Sequence, residues 1–339
     1  MRILLLQLDG KLPNLALMRL AAHHRDLGDE VELRLAGNRA AEAIQRRLSD
    51  TGQWDKVYGS LIFERTRPVG EAAKLAYPGI VLGGTGWDVG LSLESIGVTT
   101  KRYDYTVYDS TAYGKFKQSV GFTQRGCRLK CSFCVVPRKE GAVREEATIA
   151  EIWRGDPYPR EVILLDNDFF GQPNWSQRIE ELRAGDFKVS FNQGINARML
   201  TDEAAAAIAS VNYRDDSMKV KRIYTAWDSK HDEGRLFKGL NALVKYGVKP
   251  DHIMVYILIG FDPKETHEDR DYRRRLLREF GARPYPMPFI RNDETVGFQR
   301  WVIGAYDKRV TWEEWRRASH EPRKIPDKAQ GSLFKDGEP

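Results

Sequence analysis

Cysteine is nearly missing from this chain. Three occur in 339 residues, Cys127, Cys131 and Cys134, all inside "CRLKCSFC". An odd count with no second group excludes a disulfide framework. Long apolar runs are also absent. The longest, Ile253 to Phe261, falls far short of the roughly 20 residues a membrane helix needs. The first apolar stretch, Ile3 to Leu6, gives way to Gln7 and Asp9 before it could serve as a secretory core. The expectation is a soluble, cytoplasmic protein without a membrane partner. Charge of one sign does not accumulate either. Lys and Arg number 54 against 48 Asp and Glu, a net charge of +6. The densest basic run, "YRRRLLRE" at 272–279, has Glu268, Asp269, Asp271 and Glu279 close by. It reads as a solvated helix face, so nucleic acid is not indicated as a partner.

What is present is a repeated alternation of strand and helix. "RILLLQL" (2–8) is a buried-strand run, and "NLALMRLAAHHRDLG" (14–28) is a helix stopped by glycine. "VELRL" (31–35), "KVYGSLIF" (56–63) and "GIVLGGTG" (79–86) supply further strands, the last entering a glycine turn. Residues 1–112 are therefore expected to form a doubly wound α/β domain with a parallel sheet. His23 and His24 fall mid-helix and read as packing or surface residues. Six more strand candidates follow, at 119–122, 161–166, 188–192, 221–226, 253–259 and 284–289. Helical patterns separate most of them, including 175–184, 232–247 and 266–281. Residues 113–290 are thus expected to form a partial (β/α)6 barrel, whose chemistry would lie at the carboxyl ends of the strands. The cysteine loop directly follows the first of these strands. Residues 291–339 should form a small helical extension, "FQRWVIGAYDKRVTWEEWRR", ending in a loose tail.

The thiols admit few readings. A zinc site takes four ligands, usually in pairs, and would need a distant histidine here. A 4Fe–4S cluster normally takes four thiolates. Three would leave one iron open to a small molecule. The spacing Cys127-x-x-x-Cys131-x-x-Cys134 lets one loop wrap three corners of such a cube, with Gly126 allowing the turn.

With Phe133 before the last cysteine, this segment resembles the C-x-x-x-C-x-aromatic-C signature of the radical S-adenosylmethionine (SAM) superfamily. The resemblance covers roughly residues 115–290. It implies a cluster on Cys127, Cys131 and Cys134, with SAM chelating the open iron and being cleaved reductively to a 5′-deoxyadenosyl radical. It also implies SAM contacts at later strand ends. In "LLDNDFFG" (164–171) the usual Gly-Gly-Glu is absent, and Asp166 or Asp168 would take the SAM ammonium, or simply cap a turn. In "FNQGINARML" (191–200), Gln193 and Arg198 would face the pocket, the arginine pairing with the SAM carboxylate or with a surface acid. Asp228 and Ser229 would hold the ribose, and Ile259 and Gly260 would lie against the adenine or merely complete a core strand.

The domain ahead of the barrel resembles the cobalamin-binding domain of the cobalamin-dependent branch, where Asp-x-His-x-x-Gly, Ser-x-Leu and Gly-Gly mark the site. Here Asp9 is present but no histidine follows it. Ser60 in "GSLIF", and Gly83 and Gly84 in "GGTG", are the remaining candidate contacts. The resemblance implies cobalamin held without histidine coordination. The alternative is a domain that kept the fold and lost the ligand.

With three cysteines there is no auxiliary cluster and no methyl-cysteine pair. That argues against methylthiotransferases and against methylases that work through two further cysteines. Radical isomerisation, C–H abstraction or cobalamin-mediated methyl transfer remains. The rival from another class is a non-catalytic iron–sulfur or zinc module acting on nucleic acid. A flavodoxin or ferredoxin would supply the electron. Substrate groups would come from residues such as Asn167, Trp227, Tyr285, Arg300 or Trp301.

Overall fold

The computed structural model describes residues 1–36 and 53–320. The expected C-terminal tail lies outside them. Strand β1 (Arg2–Gln7) is buried from Ile3 onward. Helix α1 (Leu15–Asp26) starts where the Asn14 side chain accepts the Ala16 and Leu17 N–H groups. Strands β2 (Glu30–Leu35) and β3 (Lys56–Ser60), helix α2 (Arg67–Ala76) and strand β4 (Val81–Gly83) complete an all-parallel sheet of order β2-β1-β3-β4. Successive residues of β1 face opposite ways. Ile3 and Leu5 pack with Leu17, Met18 and Leu20 of α1, while Leu4 and Leu6 pack with Val69 and Ala73 of α2. A strand covered on both faces must be apolar throughout, which explains the unbroken "ILLL" run. The chain is doubly wound, and its strand order reverses beside β1, at whose carboxyl end α/β sheets bind ligands.

Irregular chain then leads to the second series through two tyrosines, Tyr108 buried and Tyr105 half-buried. Tyr108 accepts the Asn14 N–H and donates to Gln7, while Tyr105 bonds to both N–H and C=O of Val120. The series comprises β5 (Ser119–Gly121), β6 (Gln124–Arg125), α3 (Val136–Lys139), β7 (Arg144–Glu145), α4 (Ile149–Ile152), β8 (Glu161–Leu164), α5 (Trp175–Ala184), β9 (Lys188–Phe191), α6 (Asp202–Ser210), β10 (Asn212–Tyr213), β11 (Ile223–Trp227), α7 (Glu233–Lys245), β12 (Ile253–Ile259), α8 (His267–Glu279) and β13 (Arg283–Pro288). All six expected strands form. They divide into two parallel sheets, β10-β9-β8-β5 and β11-β12-β13, with β6 and β7 as a small antiparallel pair. Two-residue β10, too short to show a sequence pattern, takes the edge of β9 at Lys188 and Val189. The chain beyond β9 bridges the two sheets: Ile195 N–H donates to the Tyr224 carbonyl at 2.8 Å, and Ala197 N–H to Thr225 Oγ1. One core lies between strands and helices, joining Val255, Ile257 and Ile259 of β12 to Leu236, Leu240 and Leu243 of α7 and Leu277 of α8.

The arginine run of α8 departs from expectation. It is not a solvated face. Arg273 is buried and donates to the carbonyls of Trp227 and Leu258 and to Glu265. Arg270 pairs with Glu265 and Glu294, and Arg274 and Arg278 converge on the buried Asp307. Arginine's rigid fork lets one helix tie strand ends to the C-terminal extension. That extension, α9 (Asp293–Ile303) and α10 (Trp312–His320), packs Phe298, Trp301 and Trp312 together against His267. Among the described residues no helix is long and apolar enough to cross a membrane.

Candidate functional site

The cysteine loop leaves β6 at Gly126, whose φ of +81° suits glycine alone. A Cβ there would lie 2.2 Å from the Ala142 carbonyl oxygen. Cys127 N–H donates to Gly141, Leu129 N–H points at the Cys127 sulfur, and Cys134 N–H closes a turn onto Cys131. All three thiols are half-buried. Burial pushes the Cys127 and Cys134 thiols up; Asp168, Cys134 and Cys131 raise Cys127 further, and Cys131, Asp228 and Glu140 raise Cys134. Without a bound metal they are poor thiolates, which disfavours a simple nucleophilic role. The thiols influence one another without converging as ligands of one ion. Among the described residues no group of three His, Cys, Asp or Glu forms such a single-ion site.

Three consecutive residues after β8 hold this loop. Asp166 is buried and accepts from Thr123 N–H, Thr123 Oγ1 and Gln124 N–H. Burial raises its carboxyl to about 7, against the pull of those donors. Asn167 donates to Glu140, which also accepts from Arg125 and from Gly126 N–H. Asp168 binds the Arg128 guanidinium through Nε at 2.7 Å and a terminal nitrogen at 2.9 Å, and also accepts the Arg128 N–H. Gly171 makes room: a Cβ there would sit 2.3 Å from the Asp168 carboxylate. Both aspartates expected near the SAM ammonium are thus committed to positioning the loop.

On the other side of the loop, Arg198 pairs with buried Asp232 at 2.6 Å; burial lowers its guanidinium, and Asp232, Asp228 and the nearby Cys131 more than offset this. Asp228, at the end of β11, makes no hydrogen bond or ion pair among the described residues. Burial raises its carboxyl, and Arg198 and Arg273 only partly offset this. Its charge is felt at Cys134. Cys127, Cys131, Cys134, Asp168, Arg198 and Asp228 therefore gather at one end of the strands. Phe133 joins them through an edge contact with Phe261, which meets Phe289 in turn. Gln193 is exposed and touches only its neighbour Asn192. Ser229 caps the turn before α7 by accepting the His231 N–H. Ile259 is fully buried on the helix side, and Gly260 N–H donates to Glu265. Arg128, Glu140 and Asp232 were not singled out from sequence. Their one legible signal is proximity to the motifs, because their partners are distant along the chain.

At the first sheet, Ser60 is buried and accepts from the Asn14 side chain at 2.8 Å. Gly83 and Gly84 crowd Leu91 and the Leu61 carbonyl. Asp9 is fully used, accepting from Ile62 N–H, Phe63 N–H and Thr66 Oγ1. His24 bonds to Asp29 and Tyr58 within the core. A cavity of about 260 Å³ lies beside this edge, between Ser60, Gly83 and Gly84 on one side and Phe122, Arg125 and Lys139 on the other. Lys139 donates across it to Thr85, and burial lowers its ammonium.

No known protein-family model matches the chain, and no curated protein sequence matches it. Solved structures do. The radical SAM methyltransferase TsrM from Kitasatospora setae, with tryptophan and a SAM analogue bound, aligns over 84% of this chain and 72% of its own, at TM-score 0.56 and 12% identity. The same enzyme with cobalamin and a [4Fe-4S] cluster aligns at TM-score 0.54 and 13% identity, over 85% and 74%. The cobalamin-dependent SAM radical enzyme OxsB, with aqua-cobalamin and SAM, aligns over 90% of this chain and 55% of its own, at TM-score 0.54 and 14% identity. The chain therefore has the fold of cobalamin-dependent radical SAM enzymes.

Proposed function

We propose that this protein is a radical SAM enzyme. One observation carries the reading: three thiols on a loop pinned from β8 face an arginine and an unpaired carboxylate from β9 and β11. The donor set fits a 4Fe–4S cluster on Cys127, Cys131 and Cys134, with no fourth cysteine in the chain. When bound, such a cluster supplies the electron that cleaves SAM to methionine and a 5′-deoxyadenosyl radical. The chain's own residues do the positioning. Asp168 and Arg128 fix the loop, Arg198 offers positive charge beside Cys131, and Asp228 offers an acceptor for SAM's ammonium or ribose hydroxyls. The electron donor in this reading is a flavodoxin or ferredoxin.

Anaerobically reconstituted protein, reduced with dithionite and given SAM, should yield 5′-deoxyadenosine. Cys131→Ala should lose that product and most of the bound iron. Undiminished product in the variant would overturn the assignment.

A second reading is favoured by the cavity at the first sheet's edge: methyl transfer with cobalamin held there. The lining residues offer no imidazole, so the cobalt would have no histidine ligand. At about 260 Å³ the cavity would have to open along its Val89–Ile96 wall to admit a corrinoid. Cobalamin retained on gel filtration, with S-adenosylhomocysteine formed only in its presence, supports this reading. No retention removes it.

A further inference from the structure

The three-stranded sheet has an inner face that the SAM-binding residues use only at its rim. Residues 255, 257 and 259 of β12 pack under the helices, so 254, 256 and 258 face the other way. The register aligns the strands into tiers. Ala226, Tyr256 and Tyr285 are paired across β11, β12 and β13, and Leu258 is paired with Met287. Asp228 shares its face with Ala226 and Tyr224, two and four residues further down the strand. The tier of Ala226, Tyr256 and Tyr285 thus lies about 7 Å below Asp228, at ~3.3 Å per residue.

Three tyrosines meet here. Tyr224 and Tyr256 are parallel, with centroids 5.8 Å apart, and Tyr285 stands perpendicular to Tyr256 at 5.4 Å. Among the described residues none of their hydroxyls has a hydrogen-bond partner, although a buried phenol ordinarily finds one. Tyr256 and Tyr285 are only half-buried. Above them, Met287 and Phe289 are 44% and 52% exposed, so an apolar wall leads from the rim to the tyrosines. The inner face of the other sheet differs. There Val120 and Ile163 are covered by Leu12, Leu15, Phe116 and Met218. At the amino end of β11 Asp216 is exposed, its charge raises the phenols of Tyr224 and Tyr256, and among the described residues it makes no ion pair.

We infer that this tyrosine tier is the substrate floor of the radical SAM site, and that the substrate carries an aromatic ring with a protonated amine. The ring lies against Tyr256 and Tyr285, the hydroxyls supply hydrogen bonds, and the amine is held by the electron-rich ring faces and by Asp216. Between this floor and Asp228 the strand presents only the small, half-buried Ala226. The inference rests on the proposed radical SAM reading.

The test uses full-length, cluster-reconstituted protein loaded with SAM and left unreduced, with tryptamine as probe and indole and benzoate as comparisons, read by calorimetry. Tryptamine should bind more tightly than indole, and benzoate least. Tyr256→Phe with Tyr285→Phe, which keeps the rings, should weaken tryptamine about 3- to 10-fold. Asp216→Asn should weaken tryptamine and leave indole unchanged. Absence of tryptamine binding to the SAM-loaded protein overturns the inference. So does binding indifferent to all three substitutions, or a preference for benzoate. Failure of the radical SAM reading is distinguishable, because it appears earlier, as absence of iron or of SAM binding in the unmodified protein.

Discussion

The two halves of the molecule treat the polar residues at their strand ends in opposite ways. In the first sheet they satisfy one another. Asp9 caps the chain after β3, Asn14 bonds to Ser60, and Gln7 to Tyr108. In the second series some strand-end groups hold the cysteine loop, and others have no partner. Asp166, Asn167 and Asp168 are fully engaged. Asp228 and the tyrosine hydroxyls are not. Buried polar groups are normally paired, so in the proposed reading the groups left unpaired among the described residues are the ones available to a ligand. In the first sheet the polar side chains at the strand ends are spent on one another, and the cavity beside Ser60, Gly83 and Gly84 lies next to them.

Four substitutions would break or sharpen this contrast. The largest effect is expected from Asp168→Ala. It strips the partner from Arg128, and the cysteine loop loses its tie to β8. Reconstituted protein should retain only a small fraction of wild-type iron after gel filtration. Full retention would show that the pair is dispensable.

Asp166 makes a prediction about pH. Its carboxyl lies near 3.8 in the unfolded chain and about 7 when folded. Between those values the native state keeps a proton that the unfolded chain has released. Stability should therefore fall as pH rises from about 4 to about 7, by up to about 4 kcal/mol, and level off above that. Urea denaturation of the metal-free protein at pH 5 and pH 8 measures the slope, and Asp166→Asn should flatten it. An unchanged slope in the variant would assign the effect to another group.

Asp9→Ala tests the closed half. Loss of three accepted hydrogen bonds should lower stability by about 2 kcal/mol, with iron content unchanged. Lost iron would mean that the two halves are more tightly coupled than their hydrogen bonding indicates. The smallest effect is expected from Asp228→Asn, which removes charge but little shape. SAM affinity should drop about tenfold, about 1.4 kcal/mol, while the melting temperature holds or rises because no native partner is lost.

Much of this organisation is legible in the sequence. Buried parallel strands read as apolar runs, and six of the nine strands of the second series are visible as such, while two-residue β6, β7 and β10 are not. The thiol loop was visible because cysteine is otherwise absent. What the sequence conceals is pairing at a distance. Nothing near Asp168 announces that it binds Arg128, forty residues away, so its tie to the thiol loop is not legible there. The arginines of α8 mislead for the same reason. Their nearest acids along the chain suggest a surface face, whereas Glu265 and Asp307 hold them inside.

In the proposed reading three thiolates hold a cluster whose remaining iron accepts SAM. The first measurement to make is electron paramagnetic resonance of the dithionite-reduced, reconstituted protein, recorded before and after adding SAM. The expected result is the spectrum of a reduced 4Fe–4S centre that shifts when SAM is added. A protein that takes up a single zinc instead, or a cluster signal unmoved by saturating SAM, would contradict it.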